Sequence, residues 1–154
     1  MWQRVQTIFL SLVILCLVAS IFYPIWTFAA GAETVHKLFP LHYSTIDDGE
    51  MNTQYFPYSI TAILSIAAAT LAFIQIGKYK NRMLQMKLGA LNSLLLVGAI
   101  GSSVYLASQL VNQFQGGTYG FGLYLPGAAV IFNLIANRFI RKDEKLVRDS
   151  DRIR

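Results

Sequence analysis

The chain has 154 residues, 55% of them hydrophobic and only 14% charged, with 13 Lys and Arg against 8 Asp and Glu and a net charge of +5. Soluble domains carry about a quarter charged residues. Here the charges are confined to 1–4, 33–50, 78–87 and 138–154, which excludes a soluble enzyme domain, an ordinary nucleic-acid binder, a disordered tail and a disulfide-stapled secreted scaffold.

Between the charged stretches lie uncharged runs of 28, 27 and 50 residues, at 5–32, 51–77 and 88–137. A membrane-spanning helix needs about 20 mostly apolar residues, so the first two runs hold one span each and the third holds two. The expected fold is all-α and integral to the membrane: a four-transmembrane-helix bundle, one domain over 1–154, with spans at about 5–28, 58–77, 88–112 and 121–140.

The first span begins after Arg4 and ends near Pro24 and Trp26, an interface-anchor composition. A signal peptide is its rival, because Ala30-Gly-Ala32 has the form of a cleavage site. The apolar stretch from 5 to 28 is too long for a signal-peptide core, usually about 7–15 residues. Val13-Ile-Leu-Cys16 resembles a lipoprotein box but has Leu15 where a small residue belongs. Cys16 is the single cysteine, so no internal disulfide forms, and inside a span it reads as a packing residue.

A long outer loop, 30–57, follows. It carries Phe39, His42, Tyr43, Tyr55 and Phe56, and both short strands and a surface-lying helix fit it. Pro57 suits the first turn of the second helix, where a missing N–H costs nothing. The inner loop 78–87 joins the second and third spans. Gly116–Gly122 forms the turn before the fourth span, in which Pro126 predicts a kink or a late start. In the tail, 141–154, Glu144 and Arg148 form a helix-supporting i,i+4 pair. Ile140, Leu146 and Val147 offer a thin apolar edge, so a projecting helix and a solvated, fraying end both fit.

Orientation follows from Lys and Arg in the loops. The inner loop has Lys78, Lys80, Arg82 and Lys87 and no acid, whereas the outer loop has Lys37 against Glu33, Asp47, Asp48 and Glu50. Both termini are therefore expected in the cytoplasm. The basic residues Lys78, Lys80, Arg82, Lys87, Arg138, Arg141, Lys142, Lys145 and Arg148 become candidate contacts for anionic headgroups or for a partner. Attraction to anionic lipid explains them better than nucleic acid does. Asp143 or Glu144 is positioned to meet Arg82 or Lys87.

Apart from Arg138 at the inner end of the fourth, the spans hold no Asp, Glu, Lys, Arg or His, which argues against pumps, proton-coupled carriers and intramembrane metalloproteases. The polar residues that are present, Gln75, Asn92, Asn133 and Asn137, fall at one depth near the inner end. They read as a shared layer of interhelical hydrogen bonds, the alternative being a small polar pocket open to the cytoplasm. Gly98 and Ser102, like Gly89 and Ser93, have small-xxx-small spacing for close helix approach, with the neighbour left open. Thr118-Tyr-Gly-Phe-Gly122 has the outline of a potassium filter. No pore helix fits before it, so a glycine-rich turn is the better reading. His36 and His42 with Asp47, Asp48 and Glu50 match no compact metal-ligand pattern. No catalytic residue, cofactor site or metal site is nominated.

The opening Met-Trp-Gln-Arg-Val-Gln-Thr-Ile, the segment Asn81-Arg-Met-Leu-Gln-Met-Lys87 and the close from Asn133 to Arg154 together resemble the four-span bacterial inner-membrane family known as domain of unknown function four-two-nine-three. The resemblance spans the whole chain and is most specific at its close. It implies a multi-pass protein of the bacterial inner membrane and brings no activity with it. The sequence thus supports a non-enzymatic accessory or scaffold subunit with a basic cytoplasmic docking face. The alternative is an oligomeric lipid- or small-molecule-binding or transport protein that uses the polar layer.

Overall fold

Pro24 decides where the first helix stops, since it drives the preceding residue out of the helical region. The computed structural model describes residues 2–31, 34–79 and 81–151. Within it, α1 (Trp2–Phe22) ends before Pro24, and the aromatic segment after it is a strand, β1 (Trp26–Ala30). Three more strands follow, β2 (Thr34–Leu38), β3 (Tyr43–Asp47) and β4 (Glu50–Gln54). After α2 (Ile60–Gly77) and α3 (Arg82–Phe114), a two-residue strand, β5 (Thr118–Tyr119), precedes α4 (Phe121–Asp151). Lys80, Ala32 of the cleavage-like segment and the last three residues lie outside the described ones.

The five strands form one antiparallel sheet in the order β4-β3-β2-β1-β5. The expectation of an all-α protein is therefore corrected: the helices are as many as expected, but the outer loop is a meander, and the Gly-rich turn donates its edge strand. Composition hides this because an apolar aromatic run serves a strand as well as the end of a span. The β3–β4 turn carries the plainest local cause. Asp48 (φ 48°) and Gly49 (φ 85°) form a two-residue loop with positive φ at both positions, the I′-type geometry that suits the twist of a hairpin.

Helix ends depart from the sequence boundaries as well. The first span stops at Phe22 rather than near 28, and Pro57 sits in the turn before α2 instead of inside its first turn. The third helix starts at Arg82, where the Asn81 side chain accepts from the Leu84 N–H at 3.0 Å, so most of the expected inner loop is helix. Its charged residues lie on a helix that outruns its apolar segment. Pro126 lies inside α4 without ending it, and α4 continues to Asp151, so the tail is helical as far as it is described.

Among the described residues, four helices are long and apolar enough to cross a membrane. They meet in a core of Leu10, Val13 and Leu17 from α1, Ala68 and Ala72 from α2, Leu96 from α3, and Ala129 and Ala136 from α4. The small residues on α2 and α4 bring backbones close, while large apolar side chains such as Leu15, Phe73 and Leu94 point outward, 63–70% exposed. Apolar side chains exposed in such number mark a surface built to be covered, as a lipid-facing one is. Gly98 packs against Leu64, and Ser102 bonds to Thr61 at 2.9 Å, so the neighbour of that small-residue pair is α2 of the same chain.

The sheet caps one end of the bundle. Ile25, Trp26 and Leu38 pack on Leu106, Ala107 and Leu110 of α3. The β5 end is fixed to the chain after α1 by Gly120 N–H to Ile25 O (2.9 Å) and Gly122 N–H to Pro24 O (3.0 Å). Those glycines serve strand pairing and close packing, as the turn reading requires. Because Gly49 occupies a conformation that L side chains reach at a cost of about 1–2 kcal/mol, Gly49→Val is expected to weaken the hairpin by that amount. Hydrogen exchange should show lost protection in β3 and β4 with the helices unchanged.

Candidate functional site

At the end of the bundle away from the sheet, the polar residues of three helices meet. Gln75 and Gln85 face each other across the tight α2–α3 turn, and each side-chain amide donates to the other's backbone carbonyl, at 3.2 Å from Gln75 and 2.8 Å from Gln85. Gln75 Nε2 also donates to Asn137 Oδ1 (3.2 Å), and Asn92 Nδ2 donates to Asn133 Oδ1 (3.2 Å). Gln75, Gln85, Asn92 and Asn133 are all essentially buried. The four residues expected as a layer are thus brought together, although Gln75 and Asn137 bond to each other and the Asn92 side chain, among the described residues, bonds only with Asn133.

The hub of the layer is a backbone atom. The Gly89 carbonyl accepts from Ser93 Oγ (2.9 Å), Asn137 Nδ2 (3.2 Å) and Asn133 Nδ2 (3.4 Å), and Asn133 Nδ2 also reaches Ser93 Oγ at 2.9 Å. Asn137 and Asn133 are one turn apart on α4, so both reach the same turn of α3 only where no side chain intervenes. A Cβ at Gly89 would collide with the Asn137 amide oxygen and lie 2.9 Å from Gln75 Nε2. Interhelical hydrogen bonds of this kind contribute about 0.6–2 kcal/mol each. The Gln75, Gln85 and Asn92 side-chain oxygens have no hydrogen-bond partner among the described residues.

Gln85 was not among the expected layer residues. Reading 78–87 as a loop hid it, yet Asn81 as a helix cap would have placed Gln85 one turn before Gly89. Toward the chain ends, Arg82 ties α3 to α4: its Nη2 lies 3.2 Å from Asp143 Oδ2 and its Nη1 donates to the Asp143 carbonyl at 3.2 Å. This is one of the pairings that the charge pattern allows. Around it Lys78, Lys87, Arg138, Arg141, Lys142, Lys145 and Arg148 are exposed, and Lys80 lies outside the described residues.

At the sheet end, alternation puts Tyr43, Thr45 and Asp47 of β3 and Glu50, Asn52 and Gln54 of β4 on one face, where they line a cleft of about 580 Å³. Sequence reading missed this cleft; its signal was Asp48-Gly49 between two alternating runs. His36 lies beside the cleft, stacked on Tyr43 and against the tilted ring of Phe114, with its Nδ1 2.7 Å from the Tyr43 hydroxyl. His42 is elsewhere, against Phe39 and Tyr55. Among the described residues, no group of three or more His, Cys, Asp or Glu is placed to hold a metal ion.

A family model, Domain of unknown function (DUF4293), matches residues 2–153. The chain belongs to this family. No curated protein matches it. The family description brings no chemistry to either end of the bundle, so the reading of both rests on the contacts above.

Burial raises the Tyr43 hydroxyl above its ordinary 10.0, with a smaller raising effect from Tyr58 and an opposing one from its hydrogen bond with Thr45. A raised folded value means stability is fully present below the unfolded value and is lost as pH rises through the folded one. Tyr43→Phe is expected to flatten this alkaline loss in thermal melts. In the amide layer, Gly89→Ala should destabilise by about 1–3 kcal/mol, as overpacking does. At Gly98 an added Cβ would make only ordinary contact, 3.5 Å from Leu64, and Gly98→Ala should be neutral or stabilise by up to about 1 kcal/mol. Detergent-denaturation midpoints of the two variants compare them directly.

Proposed function

We propose that this protein is a non-enzymatic accessory or scaffold subunit of a bacterial inner-membrane complex, with both termini in the cytoplasm and the sheet outside. The observation that carries this reading is the end of α4. That helix is about 46 Å long at 1.5 Å per residue, against a hydrocarbon core of about 30 Å, so its last turns stand in water. There Leu146 and Val147 are 51% and 42% exposed among Lys145, Arg148 and Glu144. The Arg82–Asp143 pair steadies the base of this projection. An apolar edge with basic flanks, on a helix held at a fixed angle, suits docking of a partner helix or an acidic surface.

The second reading is a lipid- or small-molecule-binding or transport protein that uses the polar layer, acting as an oligomer. In its favour, Asn137 also lines a groove between α3 and α4. Against it, most of the layer's donors are spent on other parts of the same chain, which is how interhelical glue behaves. An enzymatic role has no set of residues behind it.

A mild-detergent pull-down of the tagged chain from its native membrane, with mass spectrometry of what accompanies it, separates the two readings. A stoichiometric membrane-protein partner is expected, and Leu146→Ser/Val147→Ser should lose it without lowering the melting temperature. Isolation of the chain alone, or only with its own copies and lipid, would refute the subunit reading. Asn133→Leu/Asn137→Leu should then abolish the cellular phenotype while the chain still folds, if the layer is a binding site.

A further inference from the structure

Arg138 and Arg141 lie one turn apart on α4 and are both exposed. With Ala90 and Ser93 of α3 and Leu134 and Asn137 of α4 they line an open groove of about 310 Å³ between the two helices. The nearby carboxylate of Asp143 is engaged by Arg82, and among the described residues neither Arg138 nor Arg141 has an acidic partner. Two like charges at this spacing on a helix repel each other, so the pair is improved by an anion placed between them.

On α4 the groove carries two guanidinium groups and the Asn137 amide at the end nearer the C terminus and Leu134 one turn before them, and its α3 wall is Ala90 and Ser93. Leu134 is 56% exposed, and one turn further along α4 Ile131 is 59% exposed. The arginines also mark the point where the uncharged run 88–137 ends.

We propose that this groove is a binding site for one anionic phospholipid. The phosphate is held by the guanidinium forks of Arg138 and Arg141, which match phosphate geometry in a way that Lys does not. The glycerol and ester region lies against Ser93 and Asn137, and an acyl chain runs along Leu134 and Ile131. The volume fits a headgroup and its glycerol, with the chains outside it on the helix surface. A soluble phosphate has the same charge but no use for the apolar side, which favours lipid over a free anion. The inference rests on the proposal that the bundle spans a bilayer with its basic end at an anionic leaflet.

The test uses the full chain. Flotation with vesicles of phosphatidylglycerol and phosphatidylcholine comes first: failure to float overturns the membrane reading itself, and the lipid site with it. Native mass spectrometry of detergent-solubilised protein then compares dioleoyl-phosphatidylglycerol with dioleoyl-phosphatidylcholine. One bound phosphatidylglycerol per chain is expected, with about a thirtyfold preference, the equivalent of two basic residues at an anionic surface. Arg138→Gln/Arg141→Gln should lose this preference, while the charge-matched Arg4→Gln/Lys37→Gln keeps it. Equal loss in both pairs, or no preference in a chain that floats, overturns the site and leaves the membrane reading standing.

Ala90→Leu, which narrows the apolar side, should weaken phosphatidylglycerol binding at least severalfold with both arginines in place. Inorganic phosphate that competes with the lipid and is indifferent to Ala90→Leu would assign the groove to a soluble anion and overturn the lipid proposal. Melting temperatures confirm that each variant is folded. The Ala90→Leu comparison decides the matter even if the arginine variant does not fold.

Discussion

The close approach of α3 and α4 at Gly89 is the contact on which the rest of the bundle depends. An amide in an apolar interior loses its water and must find another partner, and a lone one left there costs more than a made bond returns. Here Asn133, Asn137 and Ser93 all find the same backbone carbonyl, Ser93 from within α3 and the two asparagines from α4 because residue 89 has no side chain. Apolar packing alone lets helices slide past one another at little cost. A set of directional bonds converging on one atom fixes both the level and the rotation of α4 against α3. Gln75 and Gln85 extend that register to α2 by closing the α2–α3 turn on itself.

Once the helices are in register, their two ends differ in kind. Beyond the amide layer the chain is basic and helical, and the Arg82–Asp143 pair carries the alignment of α3 and α4 outward. At the other end the sheet supplies the order. Trp26, Phe28, His36 and Phe114 form a continuous set of ring contacts between the strands and the end of α3. Sheet and bundle therefore share one apolar surface, and the sheet is a lid on the helices rather than a separate body.

Much of this was legible in the residues. The uncharged runs gave four helices, and depth along them gave the company of Gln75, Asn92, Asn133 and Asn137. What composition could not give was the hydrogen-bonding state of apolar aromatic segments. Trp26–Ala30 is as hydrophobic as a helix end, and only Pro24 before it tells against helix. Charge misled at Arg82 for a different reason: charged side chains were read as loop, although a helix longer than the apolar layer carries them beyond it. Gln85 was lost through that same boundary. The paired alternation around Asp48-Gly49 was present to be read, and its turn chemistry is among the stronger local signals a sequence offers.

The strand order has a consequence for the sequence of events during synthesis. The pairings among β1 to β4 join only neighbours in the chain, so this meander can close from local contacts while later helices are still being made. The pairing of Trp26 with Tyr119 and Thr27 with Thr118 cannot form until both α3 and the turn after it exist. That short ladder joins the chain after α1 to the connection just before α4, the two helices that lie side by side. It acts as a clasp: until it closes, one edge of the sheet stays open, and its closing marks the moment when the first and last helices are held at a common height.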